Sequence, residues 1–441
     1  MKFSENQDDK HLNGLPWQVV SLEDYAVPAD LSASALKKRW RSFSSLFHDG
    51  SNEADLARAE AELRALPNVR LANLVPPIDW GLASTALANV LDAADSKVTT
   101  TASRTIGTAL SVNGEHPVQF FVGQPYCDHP TILTDWARCH HAQVLMPPNP
   151  KDILAGDTGW QQTLSTIQGR PWVLPALERC FLRHSNGLDL LRSFLERALS
   201  GALGPGIIGC DSWAFAFVRR LWPLPGTPVL TLQAFDGPAL ADYFVRTQRA
   251  SENNRHIRFL SARSGEPLVP YDEPESSTDR AGARGEREQT LPEMRQLAAH
   301  CRGNPGLAWH YWRKQLRTEP DHEEQNSAEG HDSHEKPHGW QGMQSDEVVW
   351  VAPDLAAPSL PAETGEDVAF ILHVLLLHRG LSADLLALLL PMPRPRVMSA
   401  LLRLQVTGLL VREDEYWQIA PLAYPTVREF LRVRSYLIDA F

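Results

Sequence analysis

The chain has 441 residues, 43% of them apolar and 22% charged, a globular composition with room for two or three domains. Its formal net charge of −11 argues against an extended nucleic-acid interface, which needs clustered Lys and Arg to neutralise phosphates. Five scattered cysteines without a CxxC pair argue against a disulfide framework or a zinc knuckle.

Residues 1–112 read as a mostly helical N-terminal region. The opening "MKFSENQDDKHLNG" is polar and has no signal-peptide core, so a cytoplasmic location is expected. "NEADLARAEAELRAL" (52–66) repeats apolar residues at helical spacing, and "VPPIDW" (75–80) reads as an extended connector. No motif in this region carries chemistry.

Residues 113–262 alternate short apolar runs with helical stretches. "VQFFVG" (118–123), "AQVLMPP" (142–148), the start of "PWVLPALERCF" (171–181), "GPGIIGCDSW" (204–213) and "PVLTLQAF" (228–235) predict five strands. "TILTDWARCHH", "GLDLLRSFLERALSG", "FAFVRRLW" and "DGPALADYFVRTQ" predict helices, the last capped by Asp236. Continuous apolar strands alternating with helices predict an α/β fold with a parallel sheet covered on both faces.

Residues 263–291 are polar and turn-rich and read as a flexible insertion. Residues 292–317 predict two helices around "GNPG" (303–306). Residues 318–347 are acidic and His-rich and are expected to be disordered. His322, His331, His334 and His338 would suit a metal only on a helix; with no Cys nearby, no metal site is expected.

Residues 366–441 predict a compact last domain of helices, a short hairpin across "LLVREDEYWQIAP" and a terminal helix. Its start holds the nearest approach to a membrane span, "VAFILHVLLLHRGLSADLLALLLP" (368–391). His373, His378, Arg379, Gly380 and Asp384 break that run, so no membrane insertion is expected. Three helices with a β-hairpin are the winged-helix pattern.

The order of strand, loop, helix, further strands, helices around "GNPGLA" and a last three-helix unit resembles the AAA+/STAND group of P-loop nucleotide hydrolases with a C-terminal winged helix. The resemblance covers most of residues 113–441 and implies a parallel-sheet P-loop core (113–262), a helical lid (292–317) and a winged-helix domain (366–441). The family's loop is G-x-x-x-x-G-K-[ST]. Its glycines let backbone N–H groups curl round phosphates, its Lys neutralises them and its hydroxyl binds Mg²⁺.

Laid on "VGQPYCDHPT", the first Gly is Gly123, Asp128 stands for the second, His129 for the Lys and Pro130 for the hydroxyl residue, with Thr131 next to it. Asp128 would repel phosphate, and Pro130 lacks both a hydroxyl and an N–H. The Walker B acid is replaced by Pro175. Glu178, the nearest carboxylate, reads either as a residual catalytic Glu or, more simply, as a helix N-terminal charge or a salt-bridge partner of Arg179 or Arg183. Asp211 and Ser212 stand at the sensor position, and one or the other reads more simply as a helix N-cap. The lid turn Gly303, Asn304, Pro305 and Gly306 needs no ligand as a Gly/Pro turn.

The resemblance therefore implies a pseudo-ATPase scaffold or regulatory protein with no cofactor, ATP and Mg²⁺ entering only if the altered loop still binds them. Its expected partner is another protein, an active ATPase or a membrane complex. One alternative is a winged-helix DNA-binding regulator contacting DNA through Arg394, Arg396 and Arg403; another is an atypical ATP-binding protein. The last domain balances its Arg against its Asp and Glu, and "PRPRVMSALLRLQ" is mainly apolar, so helix packing or protein contact is favoured over DNA. No G-x-S-x-G elbow suggests covalent catalysis.

Overall fold

A computed structural model describes residues 17–28, 63–98, 118–156, 159–167, 169–224, 226–250, 257–263, 265, 267–268, 292–319, 347–353, 355, 357–361 and 364–441. Most of the helix expected over 52–66, most of the insertion 263–291 and nearly all of the His-rich linker 318–347 lie outside the described residues, as do His322, His331, His334 and His338. In chain order the strands are β1 (Val19–Ser21), β2 (Arg64–Ala65), β3 (Val118–Gly123), β4 (Gln143–Val144), β5 (Trp172–Leu174), β6 (Gly206–Asp211), β7 (Val229–Leu232), β8 (Ile257–Ser261), β9 (Leu316–Thr318), β10 (Glu347–Val351), β11 (Leu381–Ser382), β12 (Leu410–Glu413) and β13 (Tyr416–Ile419).

The chain divides into two compact units. The first takes Met1–Pro16, Pro28–Ile78 and Phe235–Leu355; the second takes Trp17–Val27, Asp79–Ala234 and Ala356–Phe441. The second unit holds a six-stranded sheet of order β1-β7-β3-β6-β5-β4, parallel throughout except for β1, which runs antiparallel to β7. The α/β fold with a mostly parallel sheet, predicted from the alternating apolar runs, is present.

Every residue of β3 and of β6 is buried, as expected of strands covered on both faces. The helices His129–Cys139, Asp189–Leu199 and Ser212–Leu221 each bury an apolar stripe. Phe120, Val122, Leu174, Phe194, Ile208 and Phe215 share one core cluster, where a fully buried large apolar side chain contributes about 1.5–3 kcal/mol.

The same unit contains the C-terminal segment. Helix Glu366–Leu377 is buried almost all round, at Val368, Ile371, Leu372 and Leu375 among others. The short helix Ala383–Leu389, helix Arg394–Val406, an antiparallel sheet of order β11-β13-β12 and the helix Tyr424–Val433 follow. Two pieces of the expected N-terminal region also belong here: β1 at the sheet edge, and helix Trp80–Val98, which packs on helix His129–Cys139.

The first unit is built on a sheet of order β2-β9-β10-β8, with β8 and β10 parallel and the other pairs antiparallel. Its helices are Asn68–Leu74, Gly237–Ala250, Pro292–His300 and Pro305–Gln315. The boundary thus falls at Phe235, inside the stretch read from sequence as one core over 113–262. The reason is pairing: β8 finds its partner in β10, not in β7. Arg64 and Ala65, read as the end of a helix, form β2, and the helix expected to reach 317 gives way to β9 at Leu316. Asp236 caps its helix as expected, its Oδ1 accepting from Ala239 N–H at 2.8 Å.

Candidate site at the strand ends

In an open parallel sheet, ligands enter the crevice outside the carboxyl ends of the strands. Here the ends of β3, β6 and β5 lie side by side, with Gly123 opposite Asp211 and Leu174 opposite Ile208. After Gly123 the chain makes a turn, Cys127 N–H donating to Gln124 O. Two residues of the loop take positive φ, Tyr126 at 70° and Asp128 at 20°; Asp tolerates such values better than most residues. Helix His129–Cys139 starts at once, with Pro130 in its first turn, where a missing N–H costs little.

Each sequence-predicted loop residue has a protein partner. Asp128 Oδ2 accepts from the Thr131 hydroxyl at 2.7 Å, and its Oδ1 lies 3.4 Å from Arg379 Nη2. His129 folds back over Gly123 so closely that a Cβ at position 123 would meet His129 Cβ and Nδ1 at 2.7 Å. Its Nε2 sits 3.2 Å from Glu178 Oε1, with both side chains out of solvent (1% and 0% exposed).

Glu178 lies in a 3-10 turn after β5, and its Oε2 accepts from Asp211 N–H at 3.1 Å. It stands at the start of that turn, one of the sequence readings, but its partners are His129 and a backbone amide, not the Arg179 or Arg183 that the sequence offered. Those two are near in sequence, but Gly123 lets His129 reach the carboxylate from across the sheet end. Burial alone would raise the Glu178 carboxyl. The charge and hydrogen bond of His129, helped by Arg379, more than offset this and hold it at about 2.

Asp211 is pushed the other way, well above the usual carboxylate range, by burial and by the charge of Glu178. It caps helix Ser212–Leu221, Oδ1 accepting from Trp213 N–H at 2.9 Å. Ser212 is not the cap: its hydroxyl donates to Asp439 Oδ2 at 2.7 Å. Pro175 follows β5 and presents no carboxylate.

The C-terminal segment closes the crevice. Tyr126 donates its hydroxyl to Ile419 O at 2.9 Å. Arg379, at φ 52° just beyond helix Glu366–Leu377, reaches Asp128, and His378 Nδ1 meets Glu178 O at 3.2 Å. Trp213 Nε1 donates to the Tyr424 hydroxyl at 3.1 Å, and Arg428 pairs with Asp439 at 3.1 Å. What is left is a cavity of about 80 Å³ lined by Tyr126, Asp211, Arg379 and Gln418 among others, against roughly 300–1,000 Å³ for a typical ligand pocket.

The remaining candidates are elsewhere. Gly303, Asn304, Pro305 and Gly306 belong to the first unit, where Asn304 Oδ1 accepts from Leu307 N–H at 2.9 Å and caps helix Pro305–Gln315. Arg394 pairs with Asp384 at 2.6 Å, Arg396 pairs with Asp367, and Arg403 stands exposed on the same helix. Cys180 and Cys210 are buried and free, with thiols pushed well up by burial. Among the described residues there is no cluster of three metal-binding side chains and no helix long and apolar enough to cross a membrane.

Arg379, Tyr126, His373, His378 and Arg183 were not singled out as site residues from sequence. The available signal was two histidines inside the apolar run "ILHVLLLH", since buried polar side chains need partners. Together these features define a mixed α/β protein whose strand-end crevice is filled by its own ionic and hydrogen-bonding side chains. No family model matches the chain, and no curated protein matches it in sequence.

Proposed function

We propose that the chain is a P-loop-derived protein of AAA+/STAND type that has lost nucleotide chemistry and works as a scaffold or regulatory partner of another protein. The buried His129–Glu178 pair carries this reading. In the resemblance, His129 stands where a Lys would face phosphate and Glu178 is the carboxylate nearest the Walker B position. Here each is the other's partner, so neither is available to a nucleotide or to Mg²⁺. Asp128 adds a carboxylate where phosphate would lie, and Arg379 already engages it. The adjacency of β3, β6 and β5, which brings the loop, the sensor-like end and the Walker B-like end together, supports the P-loop ancestry. The C-terminal helices and hairpin fit its winged-helix module.

In this reading the chain acts through protein contact, with an active ATPase or a membrane complex as the partner class, and needs no cofactor. A DNA-binding role has less support, because Arg394 and Arg396 are already paired with carboxylates. The test is calorimetric titration of the full chain with ATP and Mg²⁺. The wild type is expected to give no saturable heat, and Asp128→Gly with His129→Lys and Pro130→Thr is expected to gain binding. A micromolar dissociation constant for the wild type would overturn the proposal.

A further inference from the structure

A second buried polar cluster lies where the C-terminal helices meet the sheet. His373, in helix Glu366–Leu377, and His378, at its end, are 4% and 3% exposed. Arg183, from the segment after β5, serves both. Its backbone N–H donates to His378 Nε2 at 3.3 Å, and its guanidinium Nη1 lies 3.2 Å from His373 Nδ1. The other ring nitrogens face carbonyls: His378 Nδ1 is 3.2 Å from Glu178 O, and His373 Nε2 is 3.2 Å from Leu437 O.

These contacts fix one protonation state. Each ring must donate to a carbonyl through one nitrogen and accept from an Arg183 donor through the other. Only neutral imidazole does both, because imidazolium has two donors and no acceptor. A proton added to His378 would set N–H against the Arg183 N–H. A proton added to His373 would set a cation against the guanidinium.

We propose that His373, His378 and Arg183 form a proton-sensitive latch that holds the C-terminal segment 364–441 over the strand-end crevice, with acidification favouring release. The latch does not depend on the crevice having once held a nucleotide, and the ATP titration does not read it.

The neighbouring charges agree with this assignment. Glu178, the one carboxylate that favours a charged His378, is already engaged by His129 and by Asp211 N–H. Arg379 is turned to Asp128, Asp439 is paired with Arg428, and the Tyr436 hydroxyl, whose ring packs on His373, donates to Glu366. Phe181 and Trp213 complete the apolar walls. Burial, and then for His373 the Arg183 charge, lowers both imidazoles from 6.5 to about 4.

The sign follows from linkage. The docked state binds fewer protons than the released one, so docking is fully favoured above pH 6.5 and weakens as pH falls towards 4. With two such groups, the released population is expected to rise on the order of several hundred-fold between about pH 7.5 and pH 5.

Hydrogen exchange read by mass spectrometry on the full chain, corrected for intrinsic exchange rates, measures this population. Peptides over 366–382 and 410–419 are expected to lose protection by that factor, while peptides over 118–123 and 305–315 change little. His373→Gln with His378→Gln, which cannot titrate, is expected to flatten the dependence. If that variant does not fold, Arg183→Gln decides: it keeps the backbone donor, removes the guanidinium and is expected to give a smaller rise. Wild-type protection independent of pH, an undiminished rise in the folded variant, or an equal loss over 118–123 and 305–315 would overturn the latch.

Discussion

Asp128 and His129 are neighbours where the loop enters its helix, and both pair with a residue far away in sequence. The Asp128–Arg379 pair is 36% and 28% exposed at 3.4 Å, whereas the His129–Glu178 pair is shut away from water at 3.2 Å. A half-buried pair of this kind gains little, because solvent at its open side still screens the attraction and two side chains lose freedom. Buried pairs carry a large desolvation cost that only their mutual contact and extra hydrogen bonds offset, so removing one partner is far worse than never having had either. The loop is therefore held from inside, through His129, and only trimmed from outside, through Asp128.

Glu178→Ala leaves His129 buried without its partner and should lower the stability of the second unit by about 3–5 kcal/mol, read from urea denaturation. A loss no larger than that expected for the Asp128–Arg379 pair would remove the distinction. The pH dependence should follow the same residue. Since Glu178 is held down from 4.5 to about 2, its contribution is present above pH 4.5 and is lost as pH falls towards 2. Subtracting the pH profile of Glu178→Gln from that of the wild type should show a fall in this window; coincident profiles would contradict the assignment.

Gly123→Ala comes next. Its Cβ would meet the His129 ring at 2.7 Å, and overpacking of this kind costs about 1–3 kcal/mol. A thermal midpoint equal to wild type would show that the close approach is not needed. The smallest effect belongs to Asp128→Asn, expected to change stability by less than about 1 kcal/mol and to shrink at high salt.

Much of the second unit's sheet was legible because its strands are short apolar runs closed by Gly or Asp, as in "VQFFVG" and "GIIGCD". The cap of Asp236 and the turn at "GNPG" could be read from local chemistry alone, whereas local chemistry left the cap of helix Ser212–Leu221 open between Asp211 and Ser212. The edge strand Val19–Ser21 could not be read, since three residues are too short a run to carry a period. Nor could the first unit's sheet, whose strands come from residues 64–65, 257–261, 316–318 and 347–351 and meet only through the fold. At the site, the loop and the nearby carboxylate were legible, but not the bond between them. Residues 129 and 178 are joined by the geometry of the strand ends and by the space Gly123 leaves, neither of which local sequence records. His373 and His378 were read only as interruptions of an apolar run, because their partner Arg183 lies almost two hundred residues earlier.

His129 and Glu178 form one buried unit at the strand ends. A double-mutant cycle on the full chain tests it most directly, using His129→Leu, Glu178→Leu and the two combined, with stability measured by urea denaturation. Each single substitution is expected to cost about 3–5 kcal/mol and the double less than either, so that the coupling exceeds either single loss. Additive losses, with the double equal to the sum of the singles, would contradict it.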